Sequence, residues 1–130
     1  MPLDTERLAW PMWIGGAPAQ EAADGRRFAT RNPATAEELA TVPEAGAADV
    51  DRAVAAARAA FDGGKWRTTS PQRRTRMMFR LADLLGEHLD ALTVLEARDV
   101  GKAVASVRGE ILQGISELEY FAGAATKIQG

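Results

Sequence analysis

The sequence predicts an α+β chain in which short antiparallel strands come first and about four helices follow. Three observations carry that reading. Apolar residues in 12–43 come in short β-prone runs separated by Gly, Asn and Pro turn signals. From Ala47 onward the apolar spacing changes to i, i+3, i+4, i+7. Gly63-Gly64, Ser70-Pro71 and Gly101 stand where helices stop or start.

Residues 1–11 mix charged and apolar side chains without a period and read as an N-terminal tail. Met12-Trp13-Ile14 is a β-prone run, and the Gly15-Gly16 pair after it suits a tight hairpin turn. Ala23-Asp24-Gly25 is a second turn signal. Phe28-Ala29-Thr30-Arg31 alternates as a strand. Asn32-Pro33-Ala34-Thr35 then turns the chain, because Pro fixes φ and Asn bonds its own backbone. Leu39-Ala40-Thr41-Val42 forms the next strand, which Pro43 stops. Strands flanking so tight a turn pair antiparallel.

The first helix begins near Ala47, with Val50, Ala53, Val54, Ala57 and Phe61 as its apolar stripe. Asp49 and Asp51 fall in its first turn, where negative charge suits the helix dipole. Gly63-Gly64 ends it. Ser70 caps the second helix and Pro71 is its first residue. Met77, Met78, Leu81, Leu84, Leu85 and Leu89 are its expected buried stripe. Asp90 starts a short third helix carrying Leu92 and Leu95, stopped near Gly101. The fourth runs from about Ala103 to the chain end, on Val104, Val107, Ile111, Ile115, Leu118 and Phe121 or Ala122. Gly109, Gly114 and Gly123 interrupt it at about 1 kcal/mol each relative to Ala, which points to close helix packing there.

Composition excludes several functions. The chain has 130 residues, with 16 Lys and Arg against 18 Asp and Glu, so its formal charge is −2. With no Cys there is no disulfide, no thiolate nucleophile and no Cys-ligated zinc. With His88 as the one His, neither a two-His metal site nor a His relay can be built. The slightly acidic balance gives no general attraction to nucleic acid. No apolar run is long enough to span a bilayer, and the start lacks a signal peptide's basic end and apolar segment. The expectation is a cytoplasmic protein without nucleic-acid or membrane partners.

Individual residues add little chemistry. Arg73, Arg74, Arg76 and Arg80 cluster on one helix beside Lys65 and Arg67. The cluster suits an anion or a nucleic acid, but the net charge favours a solvated or interface face. Trp66 reads as a packing anchor. Neither Gly15-Gly16 nor Gly63-Gly64 has phosphate-loop spacing. Glu110, Glu117 and Glu119 read as solvating charges on a helix, and His88 as a partly buried structural residue. No nucleophile, base and orienter come together in the sequence. The stripe of the last helix, however, needs a partner surface.

Read in order, several segments resemble the opening of the NAD(P)-dependent aldehyde dehydrogenase superfamily. They are Trp13-Ile-Gly-Gly, Asn32-Pro-Ala-Thr-Ala-Glu-Glu-Leu-Ala-Thr-Val-Pro43 and Asp49-Val-Asp-Arg-Ala-Val-Ala-Ala-Ala-Arg-Ala-Ala-Phe61. Lys65-Trp66, Ser70-Pro71, Leu81-Ala-Asp-Leu-Leu85, Leu95-Glu-Ala-Arg-Asp-Val-Gly-Lys102, Arg108-Gly-Glu-Ile111 and Glu119-Tyr-Phe-Ala-Gly123 continue the likeness. It covers residues 12–130, which then form the incomplete N-terminal part of such a domain after the tail. Ala36 stands where the family's turn usually has Gly, Arg73 where an acidic residue is common, Ala103 in place of a frequent Pro, and Val100 in place of a small polar residue.

The resemblance implies an α+β fragment of an α/β enzyme, part of the cofactor-binding domain without its Rossmann-type sheet. It implies oxidation of an aldehyde to a carboxylic acid by NAD or NADP. A Cys thiolate attacks the aldehyde, hydride passes to the nicotinamide, and a Glu-activated water hydrolyses the thioester. An Asn side chain and a backbone N–H hold the oxyanion. These residues and the dinucleotide-binding segment lie beyond the family's equivalent of Gly130. No catalytic or cofactor-binding residue is therefore expected here, nor dehydrogenase activity or tight cofactor binding by this chain alone. Two sites are carried over. Backbone oxygens of Thr30 and Arg31 with the Asp99 carboxylate would suit a structural monovalent cation, unless Asp99 only caps or pairs locally with Lys102 or Arg31. Gln113, on the helix segment from Gly109, would border the substrate tunnel. Family members are homo-oligomers. The rival reading is a non-catalytic helical module that binds a full-length homologue or another chain.

Overall fold

The computed structural model describes residues 5–6 and 8–127. Parts of the expected tail, and the last helix's expected run through 128–130, lie outside the described residues. The elements are β1 (Met12–Ile14), β2 (Ala17–Ala19), β3 (Arg27–Arg31), β4 (Glu38–Pro43), α1 (Ala47–Asp62), α2 (Pro71–Glu87), α3 (Leu89–Val100) and α4 (Val104–Ala124). They fall into two compact units divided after Thr68, with Thr5 belonging to the second.

In the first unit, β1 and β2 pair antiparallel from Met12↔Ala19 to Ile14↔Ala17. Gly15 and Gly16 both hold positive φ, 63° and 82°, as a two-residue hairpin turn of matching twist requires. The sequence pattern did not single out β2, because Pro18 masks it. A two-stranded ribbon tolerates that Pro opposite Trp13, since an edge needs no ladder donor.

β3 and β4 pair antiparallel from Arg27↔Pro43 to Arg31↔Glu38, and the register shifts between Thr30 and Arg31. In the turn between them, Asn32 Oδ1 accepts the Ala34 N–H at 2.9 Å. Ala36 holds φ 62°. The turn thus keeps a left-handed position with Ala in it. Part of the expected tail joins this ladder. Trp10 N–H donates to Thr41 O at 3.0 Å, and Thr41 N–H donates to Leu8 O at 2.9 Å. Arg27 fastens the arrangement, donating to Gln20 O at 2.5 Å, Thr41 O at 2.9 Å and Trp10 O at 3.2 Å.

α1 carries the correction with the widest reach. Its expected stripe is exposed at Val50, Val54 and Phe61, by 54, 62 and 61 %. The half-covered residues are Ala53 and Ala56. A Cβ placed on Gly15 would lie 3.5 Å from the Ala56 Cβ, so the helix meets the hairpin through its smallest side chains.

In the second unit α2 and α3 both pack on α4. Ser70 caps α2, its side chain accepting the Arg73 N–H at 3.3 Å. Here too the covered face differs from the expected stripe. Thr75, Met78, Ala82 and Leu85 are covered, whereas Met77, Leu81 and Leu84 are exposed. Thr75 Oγ1 donates to Ala122 O on α4 at 2.8 Å. On α4 itself Val107, Ile111, Ile115, Leu118 and Ala122 face inward, and Val104 and Phe121 do not. Nothing lies within 4 Å of a Cβ built on Gly109, Gly114 or Gly123. Those glycines are therefore not points of close helix approach in this chain. The buried side chains are mostly small: Ala22, Ala40, Pro43 and Asp49 in the first unit, and Ala82, Leu89, Thr93, Val107 and Ala122 in the second.

Candidate functional site

Thr30 and Arg31 end β3, at the point where the ladder shifts register. A bulge there leaves backbone groups outside the regular pairing, as is common beside sites. Thr30 Oγ1 donates to Ala40 O at 3.4 Å. The Arg31 guanidinium turns back over the loop, donating to Ala36 O at 3.2 Å and lying 3.9 Å from a Glu38 carboxylate oxygen. These two residues belong to the first unit.

Asp99 belongs to the second unit and is exposed in the last turn of α3. A negative charge at a helix C-terminus opposes the dipole, so helix stability does not account for it. The Lys102 ammonium lies 2.7 Å from Glu110 Oε2. That bond raises the Lys102 pKa and holds the Glu110 carboxyl below its ordinary value. The α3 end is stopped by Gly101 at φ 73°, whose N–H donates to Ala97 O at 3.0 Å.

Gln113 is exposed on α4, its Nε2 donating to Glu117 Oε1 at 2.9 Å. His88 joins α2 to α3. Its N–H donates to Leu84 O at 3.2 Å and its C=O accepts the Leu92 N–H at 3.0 Å. Both its backbone groups are thus used in ending one helix and starting the next. Arg80, part of the basic cluster, pairs with Glu87 at 2.8 Å, so that much of the cluster is a neutralised surface. Among the described residues no three His, Cys, Asp or Glu side chains converge as a metal-ligand set, and no helix is long and apolar enough to cross a membrane.

Two organising residues had no distinct signal in the sequence. Arg27 looks like any strand-end cation, and its backbone acceptors come from segments 7 to 17 residues away. Asp49 looks like an ordinary first-turn acid. It is nevertheless buried, and it accepts N–H groups from Gly46 at 3.0 Å and from Ala23 at 3.1 Å. The pattern of Asp three residues after the helix cap was its one available cue.

The two glycine pairs do not stand where a phosphate loop places its glycines. Gly15-Gly16 closes a hairpin and Gly63-Gly64 follows the end of α1, whereas phosphate loops open a helix.

The Aldehyde dehydrogenase family model matches residues 20–130. The Bacillus subtilis (strain 168) protein named "Putative aldehyde dehydrogenase DhaS" is 52 % identical over 109 residues, which are 83 % of this chain and 22 % of that protein. A crystal structure of an NAD-dependent aldehyde dehydrogenase from Sinorhizobium meliloti superposes with a TM-score of 0.89 at 36 % identity, covering 100 % of this chain and 27 % of that one. An aldehyde dehydrogenase from Bacillus cereus, solved as its NAD+ complex, superposes with a TM-score of 0.87 at 40 % identity, covering 94 % and 25 %. The chain spans about a quarter of the length of these relatives.

Proposed function

The chain belongs to the aldehyde dehydrogenase family, and from that premise we propose that it is the N-terminal segment of an enzyme oxidising an aldehyde to a carboxylic acid with NAD. The observation that carries this reading is the family match across residues 20–130. The NAD-dependent Sinorhizobium meliloti enzyme and the NAD+ complex from Bacillus cereus support NAD as the acceptor.

Within such an enzyme this segment acts as scaffold. It has no Cys for a thiolate, and its two glycine pairs do not open a helix, so this reading assigns its side chains no chemical step. Its contribution is positional. The exposed stripes Val50, Val54, Phe61 and Met77, Leu81, Leu84 are suited to packing against the remaining three-quarters of a full-length protein. The Thr30–Arg31 bulge offers backbone oxygens to a hard cation. Gln113, exposed on α4, is the residue proposed to face the aldehyde's path.

A chimera tests the reading. In it, this chain replaces the matching segment of the Bacillus subtilis relative, and NADH formation is followed with added aldehyde. A folded chimera with aldehyde-dependent NADH formation supports the proposal, and a folded but inactive one overturns it. The chain alone forms no NADH under the same conditions. Turnover by the isolated chain would overturn the scaffold role while leaving the family assignment intact.

A further inference from the structure

In the second unit, a cleft of about 320 Å³ is lined by Leu85, Leu92, Glu96, Val107, Glu110 and Ile111. We propose that this cleft binds a linear primary alkylammonium ion. The proposal is independent of the enzymatic reading above.

The lining divides by chemistry. Leu85 from α2, Leu92 from α3 and Ile111 from α4 form an apolar floor. Val107 is fully buried beneath it. Glu96 and Glu110 stand on facing helices and supply the polar part. The Glu110 carboxylate is already engaged, by the Lys102 ammonium at 2.7 Å and the Ser106 hydroxyl at 3.4 Å. The Glu96 carboxylate makes no hydrogen bond among the described residues, and its charge, like that of Glu110, acts on the Lys102 ammonium. Two carboxylates face one ammonium, which leaves the cleft one negative charge in excess.

That combination selects for shape and sign together. A hydrocarbon chain is taken out of water on the floor, at roughly 25 cal/mol per Å² of apolar surface covered. The ammonium stays at the rim, where Glu96 completes the charge balance and water still reaches it. An alcohol of the same length satisfies the floor alone. A fatty acid of the same length meets like charge.

The test is a titration of the chain with n-hexylammonium chloride, followed by amide NMR, with hexan-1-ol and sodium hexanoate as comparisons. The expected result is saturable shifts confined to the six lining residues and their immediate neighbours. Hexan-1-ol binds more weakly, and hexanoate produces no saturable shift there. Glu96→Gln, an exposed change that leaves the floor intact, weakens hexylammonium binding about fivefold, the size of a partly exposed ion pair. Added salt weakens the wild-type interaction further. Three results overturn the proposal: no saturable shifts, equal binding of hexylammonium and hexan-1-ol, or a Glu96→Gln chain that binds as the wild type does.

Discussion

The Asp49 carboxylate accepts the backbone N–H of Ala23, 26 residues earlier, at 3.1 Å to each oxygen. The same side chain accepts the Gly46 N–H at 3.0 Å and pairs with Arg52 at 2.6 Å. One acid thus closes the start of α1 and ties it to the turn at 22–25. Gly46 brings no side chain to cap the helix, so Asp49 supplies what a Ser or Thr cap would share with it.

Asp49→Ala should therefore lower the melting temperature by about 5–10 °C, through loss of a helix cap together with a tertiary hydrogen bond. Asp51→Ala, an exposed change two residues further along α1, should leave it nearly unchanged. Thermal unfolding followed by circular dichroism compares the two.

The same carboxylate sets a pH dependence. The Gly46 N–H first, then the Ala23 N–H and Arg52, hold its pKa below the ordinary 3.8. A pKa lowered by folding contributes stability above the unfolded value and loses it as pH falls through the folded value. The gap in urea midpoint between wild type and Asp49→Asn should hold from neutral pH to about 5 and close below about pH 4. A gap that persisted under acid conditions would point to packing rather than charge.

Ala36 holds φ 62°, a conformation that a Cβ makes costly. Ala36→Gly should stabilise the chain by about 0.5–1 kcal/mol, the relief of strain being partly offset by the freer unfolded chain. Urea unfolding measures it, and a lower midpoint for the variant would refute the strain.

Gly109 and Gly114 face open space. Replacing either by Ala should stabilise α4 by up to about 1 kcal/mol, the helix-propensity difference, with no steric penalty. A destabilised variant would reveal a close contact at that position.

Met77 and Leu81 leave 50 and 44 % of their surface exposed. Changing both to Gln should reduce binding of a dye that reports exposed apolar surface. Stability should shift by no more than about 0.5 kcal/mol, since little packing is lost.

Local signals gave the element boundaries away, and non-local ones did not. Ser70-Pro71, Gly101 and Asn32-Pro33 act on the backbone within a few residues, and each does in the structure what its chemistry dictates. The faces were harder. An apolar stripe identifies a helix and not the neighbour it meets, so the spacing picks out Val50, Val54 and Phe61 although this chain covers Ala53 and Ala56. Thr75 was invisible for the converse reason. It is polar, yet its hydroxyl reaches Ala122 O, 47 residues on. The roles of Arg27 and Asp49 depend on partners that only the fold brings near. Thr30, Arg31, Asp99 and Gln113 are named on family likeness alone, because no spacing of residue types in the sequence marks them.

His88 is at once the last cap of α2 and the first of α3, and this joint of one residue restricts how the chain can change length. One residue inserted there turns α3 by about 100° and advances it about 1.5 Å relative to α2. Leu89 and Thr93, both buried, would be carried out of their buried positions together. Segment 63–69 contains no such shared cap and ends at the next helix's own Ser70 signal. A single-residue insertion should therefore be costlier at His88 than within 63–69, and a library of such insertions would sort the two joints by soluble yield.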